Sequence, residues 1–125
     1  MIAICKINRD LYRCVSDRIT TDEVIITQEQ IGHIKERHPH DFERYAEYFP
    51  EIIRHPDYIL QANKPNTAFI LKEFSQSDKR FQVILRLAVA GDPPDYKNSI
   101  ITFLKVDKKR YARYLRTKKI LYKSE

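Results

Sequence analysis

Four runs of β-type residues fill the second half of the chain with only short polar stretches between them, and this spacing constrains the fold more than any other feature. The runs DYILQA (57–62), TAFILKEF (67–74), RFQVILRLAVA (80–90) and KNSIITFLKV (97–106) are separated by NKPN, SQSDK and GDPPDY. Short polar connections of this kind favour neighbouring strands in an antiparallel meander. Ahead of them, Thr27 and Gln30 form a T-x-x-Q capping box that starts a helix at Gln28. Pro39 ends that helix near His38, because the residue before a proline is pushed out of the α region. A second helix is predicted from Asp41, with Phe42, Tyr45, Ala46 and Phe49 at helical spacing and Pro50 closing it; PEIIRHP adds one more turn. IAICKI (2–7) and LYRCV (11–15) read as a small hairpin around NRD, and EVIIT (23–27) as a further strand. Asp107 caps a last helix, KKRYARYLR, whose Tyr111, Tyr114 and Leu115 form an apolar stripe beside its cations. The predicted fold class is therefore α+β: N-terminal helices packed on one face of a four-stranded antiparallel meander sheet, with a C-terminal basic helix.

With 125 residues and 42% hydrophobic composition, the chain has material for one domain, read as 1–125, and too little for two ordinary ones. No segment approaches the roughly 18 apolar residues of a membrane span, so no membrane partner is expected. MIAICKINRD is apolar for only a few residues before Lys6 and Arg9, unlike a secretory signal, and this points to the cytoplasm. Cys5 and Cys14 have no C-x-x-C spacing and read as small hydrophobes in a reducing compartment. The charge is uneven: the chain carries +6, and residues 105–125 hold nine Lys or Arg against Asp107 and Glu125. Such an excess attracts phosphate backbones, which makes Lys105, Lys109, Arg113 and Arg116 candidate contacts to a nucleic acid.

Strand alternation indicates where a site sits. Phe81, Val83, Leu85, Leu87 and Val89 are uniformly apolar and face the helices, which turns Gln82 and Arg86 to the open face. The parity of TAFILKEF is ambiguous. In NSIITFLKV, Asn98 and Thr102 share a face with Ile100 and Leu104, and Ser99 lies opposite with Ile101 and Phe103. If Lys72 and Thr102 join Arg86 on the open face, a cation pair beside a hydroxyl grips a phosphate.

IGHIKERHPH (31–40) gathers three of the four histidines. His33 and His38 lie about 140° apart around a helix, unlike the two ligands of an H-x-x-x-H pair, and no known metal-ligand spacing is present. General acid–base work remains, since histidine titrates near neutrality. From spacing alone, however, the favoured reading is structural: His38 at a helix end beside the Ile31–Ile34 stripe, and His33 on the surface. His40 and His55, each beside a proline, read as turn residues.

The series TQEQIGHIKERHPHDFERY, EIIRHPDYIL, NTAFILKEF, VILRLAV and YKNSIITF resembles the phage-type nuclease-like domains grouped with barnase, EndoU, the tRNA-cleaving colicins and the RelE toxins. The likeness covers roughly 24–106, leaving an N-terminal hairpin or extension (1–23) and the basic helix and tail (107–125) outside. It implies a ribonuclease that needs no metal or other cofactor and directs the 2′-OH onto the adjacent phosphate, giving a 2′,3′-cyclic phosphate. Carried over by position, the catalytic candidates are His33, His38, Lys72, Ser99 and Thr102, with Arg37 and Arg86 holding phosphate. One histidine is then base or acid, Lys72 and Arg86 are electrostatic clamps, and Thr102 or Ser99 orients the substrate. RNA, tRNA included, is the implied substrate, and an inhibitor or immunity protein the implied partner. Family members are often toxin domains fused to longer proteins, whereas this chain reads as a lone domain. The alternative is a non-catalytic RNA- or DNA-binding module using the basic C-terminal segment; a third reading is an interaction protein docking that helix on an acidic surface.

Overall fold

The structure, a computed structural model, describes residues 1–125. The four runs form β3 (Tyr58–Gln61), β4 (Thr67–Phe74), β5 (Lys79–Arg86) and β6 (Asn98–Val106), each antiparallel to the next. This meander is the centre of a larger, mixed sheet and not the whole of it. Strands β1 (Ile2–Lys6), β2 (Glu23–Ile26) and β7 (Ile120–Lys123) extend it to seven strands in the order β1-β2-β6-β5-β4-β3-β7. Strand β2 runs parallel to β6, and β7 runs antiparallel to β3. The predicted N-terminal hairpin is not formed, because β1 pairs with β2. LYRCV overlaps the short helix α1 (Arg9–Tyr12) instead, whose N-cap Asn8 accepts a hydrogen bond from the Asp10 N–H at 2.9 Å. Its Tyr12 is fully buried and donates to the Ile53 carbonyl at 2.6 Å, so an aromatic that suits a strand serves here as a core anchor.

Thr27 caps α2 (Gln28–Arg37), its Oγ1 accepting from the Gln30 N–H at 3.1 Å, and Ile31 and Ile34 form the buried stripe. His38 leaves the helix at φ −134° and ψ 74°, as the following proline requires. The predicted single helix from Asp41 is split into α3 (Asp41–Tyr45), a 3-10 turn (Ala46–Tyr48) and α4 (Phe49–Arg54). Pro50 opens α4 rather than closing its predecessor, since a first-turn residue needs no N–H donor. Phe49, Ile52 and Ile53 of α4 join Ile31 and Ile34 against Phe81, Val83, Leu85 and Phe103 of the sheet. Burying each such side chain contributes about 1.5–3 kcal/mol, and truncating Ile52 to alanine would cost about 2–5 kcal/mol.

The opposite face is not open throughout. Asp107 caps α5 (Lys108–Thr117) by accepting from the Arg110 N–H at 2.8 Å, and Tyr111, Tyr114 and Leu115 pack on Leu60, Phe69, Leu71, Leu104 and Val106. Helices therefore lie on both faces of the sheet, α5 covering part of one. No helix is long and apolar enough to cross a membrane.

One irregularity sets the site. Thr102 pairs with Ile84 but Ile100 pairs with Leu85, leaving Ile101 as an extra residue in β6. Such a bulge inverts side-chain parity along a strand. Ser99, opposite Arg86, and Thr102, opposite Ile84, consequently lie on the α5 face together, while Ile100 and Phe103 enter the core beneath the N-terminal helices. The alternation expected for NSIITFLKV is thus corrected: Asn98 and Ile100 part from Thr102, and Ser99 joins it.

Candidate active site

Strand β2 accompanies β6 only at Val24–Asn98 and Ile25–Ser99, so the rest of β6 has no strand on that side. Helix α2 follows β2 directly and runs past this uncovered stretch, while α5 leaves the far end of β6 through Asp107. Between them lies a cleft of about 230 Å³ into which His33, Arg37, His38, Thr102 and Arg110 project, with Ile34, Ile101, Phe103 and Leu104 completing its wall.

Both histidines line this cleft although helical geometry separates them. His33 is on α2 and exposed, whereas His38 is half-buried and already off the helix. Its backbone no longer follows the helical screw, so the angular argument that parts them does not apply; Pro39 is the residue responsible. His33 Nε2 lies 3.6 Å from Glu29 Oε1, one turn back on α2 and beyond hydrogen-bond distance. Arg110 is held in turn: its Nε donates to the Tyr114 hydroxyl at 2.7 Å and its guanidinium lies 5.6 Å from that ring. No Asp or Glu lines the cleft. Two guanidiniums, two imidazoles and a hydroxyl thus surround a space below the usual size of a small-molecule pocket, which suits a compact anion such as a phosphodiester. No three His, Cys, Asp or Glu side chains lie close enough together to share a metal ion.

Other candidates are held elsewhere. Lys72 pairs across strands with Phe81 and shares the face of Ile70, beneath the N-terminal helices, so it does not join Arg86 on the open face. Its Nζ donates to the His55 carbonyl at 2.7 Å and meets Asp57 Oδ1 at 3.4 Å, while Asp57 Oδ2 accepts from the Glu73 N–H at 2.7 Å. That is a lock between the α4–β3 turn and β4. Arg86 does face the α5 side, but it is bound by Asp92 through contacts of 3.1 and 3.2 Å, donates to the Leu87 carbonyl and lies 5.5 Å from the Tyr96 ring. The Val89 N–H, at 2.9 Å, and then Arg86 hold the Asp92 carboxyl below its ordinary range. Ser99 faces Arg86, outside the cleft. Lys105 lies on the other face of β6, its Nζ 5.9 Å from the Tyr45 ring. Lys109, Arg113 and Arg116 are exposed on α5 and do not line the cleft.

Arg110 was not among the sequence candidates. The signal available was its place three residues after the capping Asp107, with Tyr114 one turn on, but one cation among nine in 105–125 is not singled out by composition.

A family model, PBECR2 (phage-Barnase-EndoU-ColicinE5/D-RelE like nuclease2), matches residues 6–123. The match takes in α1, β2, α5 and β7 as well as the meander, and so extends past the 24–106 span of the sequence resemblance at both ends. Searches of curated proteins and of solved structures find no match.

Proposed function

The chain belongs to the phage-Barnase-EndoU-ColicinE5/D-RelE like nuclease2 family, and from that premise we propose that it is a metal-independent endoribonuclease acting at the α2–β6–α5 cleft. The observation that carries this reading is the convergence of His33, His38, Arg37, Thr102 and Arg110 in a space without a carboxylate. One imidazole takes the proton of the 2′-OH as its oxygen bonds to phosphorus. The P–O5′ bond breaks as the other imidazole gives its proton to the departing 5′-oxygen, leaving a 2′,3′-cyclic phosphate. Arg37 and Arg110 neutralise charge gathering on the phosphoryl oxygens, and Thr102 fixes one of them by a hydrogen bond. The exposed cations Lys109, Arg113 and Arg116 draw the flanking backbone toward the cleft. A single-stranded RNA, tRNA loops included, is the substrate, and an acidic inhibitor or immunity protein covering this face is the partner that would restrain it.

Incubation with tRNA and a mixed single-stranded RNA in EDTA tests the reading. Cleavage leaving a cyclic phosphate, abolished in a His33→Ala/His38→Ala double variant, is expected. Products with a 5′-phosphate formed only with Mg²⁺ would overturn it, and binding without turnover would favour the non-catalytic module.

A further inference from the structure

On the same face of the sheet as the cleft, beyond the last turn of α5, lies a second and larger hollow of about 420 Å³. Its floor is apolar, formed by Phe69, Ile84 and Ile101. Ile101, the bulged residue of β6, also walls the catalytic cleft, so the two spaces adjoin across one side chain. Phe69 is fixed by Tyr114, whose ring packs edge-on at 4.8 Å between centroids.

The rim is cationic. Lys118 places its Nζ 4.6 Å above the Phe69 ring, and Lys64 stands across from the strands on the β3–β4 loop. Arg86 also borders the space, though Asp92 balances its charge. Asn63, exposed on that loop, offers a donor and an acceptor, and Thr67 Oγ1 donates to the Pro65 carbonyl at 2.9 Å, which leaves its lone pairs free to accept. The volume falls in the range of pockets that hold small molecules, about 300–1,000 Å³. An apolar floor with hydrogen-bonding groups and cations on its rim matches a nucleotide: planar base below, phosphates above.

Resting on the ribonuclease reading, we propose that this hollow receives the base of a nucleotide next to the scissile phosphate, which makes unpaired RNA the substrate. A base inside a duplex is stacked on both faces and cannot enter such a space.

The test uses methyl NMR of the full chain, following Ile84 and Ile101, with the four nucleoside 5′-monophosphates and with inorganic phosphate. Nucleotides are expected to move the Ile84 methyl and phosphate alone to leave it in place. Asn63→Trp, a substitution in an exposed loop that fills the hollow, should abolish the Ile84 shift, and Lys118→Met should weaken binding about fivefold. In parallel, an abasic position is walked along a cleavable single-stranded RNA. One position should lower kcat/KM about tenfold or more in the wild type and have no effect in Asn63→Trp. An unmoved Ile84 methyl, or a flat abasic walk with cleavage intact, would overturn the base pocket and leave the ribonuclease reading standing. A nucleotide-dependent Ile84 shift without any RNA cleavage would retain the nucleotide site and overturn the ribonuclease reading.

Discussion

Arg86 and Lys72 each meet a carboxylate, Asp92 at 3.1 Å and Asp57 at 3.4 Å, whereas Arg37 and Arg110 line a cleft that no carboxylate enters. The first pair ties loops to strand ends; the second leaves its charge available. A cation with a fixed acidic partner has its field largely spent inside the protein, and its loss is felt as instability. A cation without one keeps its attraction for an incoming anion, and its loss is felt in binding and rate.

The sharpest way to break this contrast is at the imidazoles. His33→Ala and His38→Ala should each lower RNA cleavage by about 10²–10⁴-fold without loss of thermal stability. The pH profile should be bell-shaped in the wild type and lose one limb in each variant, which assigns base and acid. Arg110→Ala should reduce kcat by about 10²–10³-fold with an unchanged melting temperature. Lys72→Met should do the reverse, costing about 1–3 kcal/mol in urea unfolding while the specific activity of the folded fraction stays near wild type. If Lys72→Met instead abolished cleavage at full stability, the division between locked and free cations would fail.

Acid titration sharpens the comparison further. Because the folded Asp92 carboxyl is held below its ordinary value of 3.8, its ionised form contributes stability at higher pH, and that contribution disappears as pH falls through the lowered folded value. Asp92→Asn should therefore be less stable than wild type at pH 7, and the gap should close on acidification below 3.8. The smallest effect is expected on the outer face of α5, where Lys109→Ala should reduce the salt slope of RNA binding by about one and leave cleavage chemistry unchanged.

The meander, α2 and α5 were legible because each has a local signature: polar turns between β runs, Thr27 before Gln30, and Asp107 before a basic amphipathic stretch. IAICKI was read as a strand, as β1 is, but was given the wrong partner, and β7 has only four residues; both depend on partners distant in sequence, Ile25 for Ala3 and Ile59 for Tyr122. Asn8, whose side chain caps α1, is read as part of a turn when the neighbouring residues look β-forming. At the cleft, His33, His38, Arg37 and Thr102 came from the sequence, but Ser99 was put on the wrong face because the Ile101 bulge has no glycine or other turn residue to announce it. Lys72 was misplaced by the ambiguous parity of TAFILKEF, in which both faces are apolar because α5 covers one and the N-terminal helices the other.

The pairing of β7 with β3 bears on when the cleft and the sheet edge beside it become complete. A polypeptide leaves the ribosome from its N-terminus, and Arg110 follows every other residue of the cleft in chain order. The strand that returns α5 to the sheet edge follows later still, with Tyr122 opposite Ile59 and Lys123 opposite Tyr58. A nascent chain that has emerged only as far as Val106 carries both imidazoles and Thr102 but has no second guanidinium and no wall opposite α2. The polyanion closest at hand during translation is the ribosome itself, and the cleft proposed to engage RNA gains its second guanidinium only after both imidazoles and Thr102 have emerged.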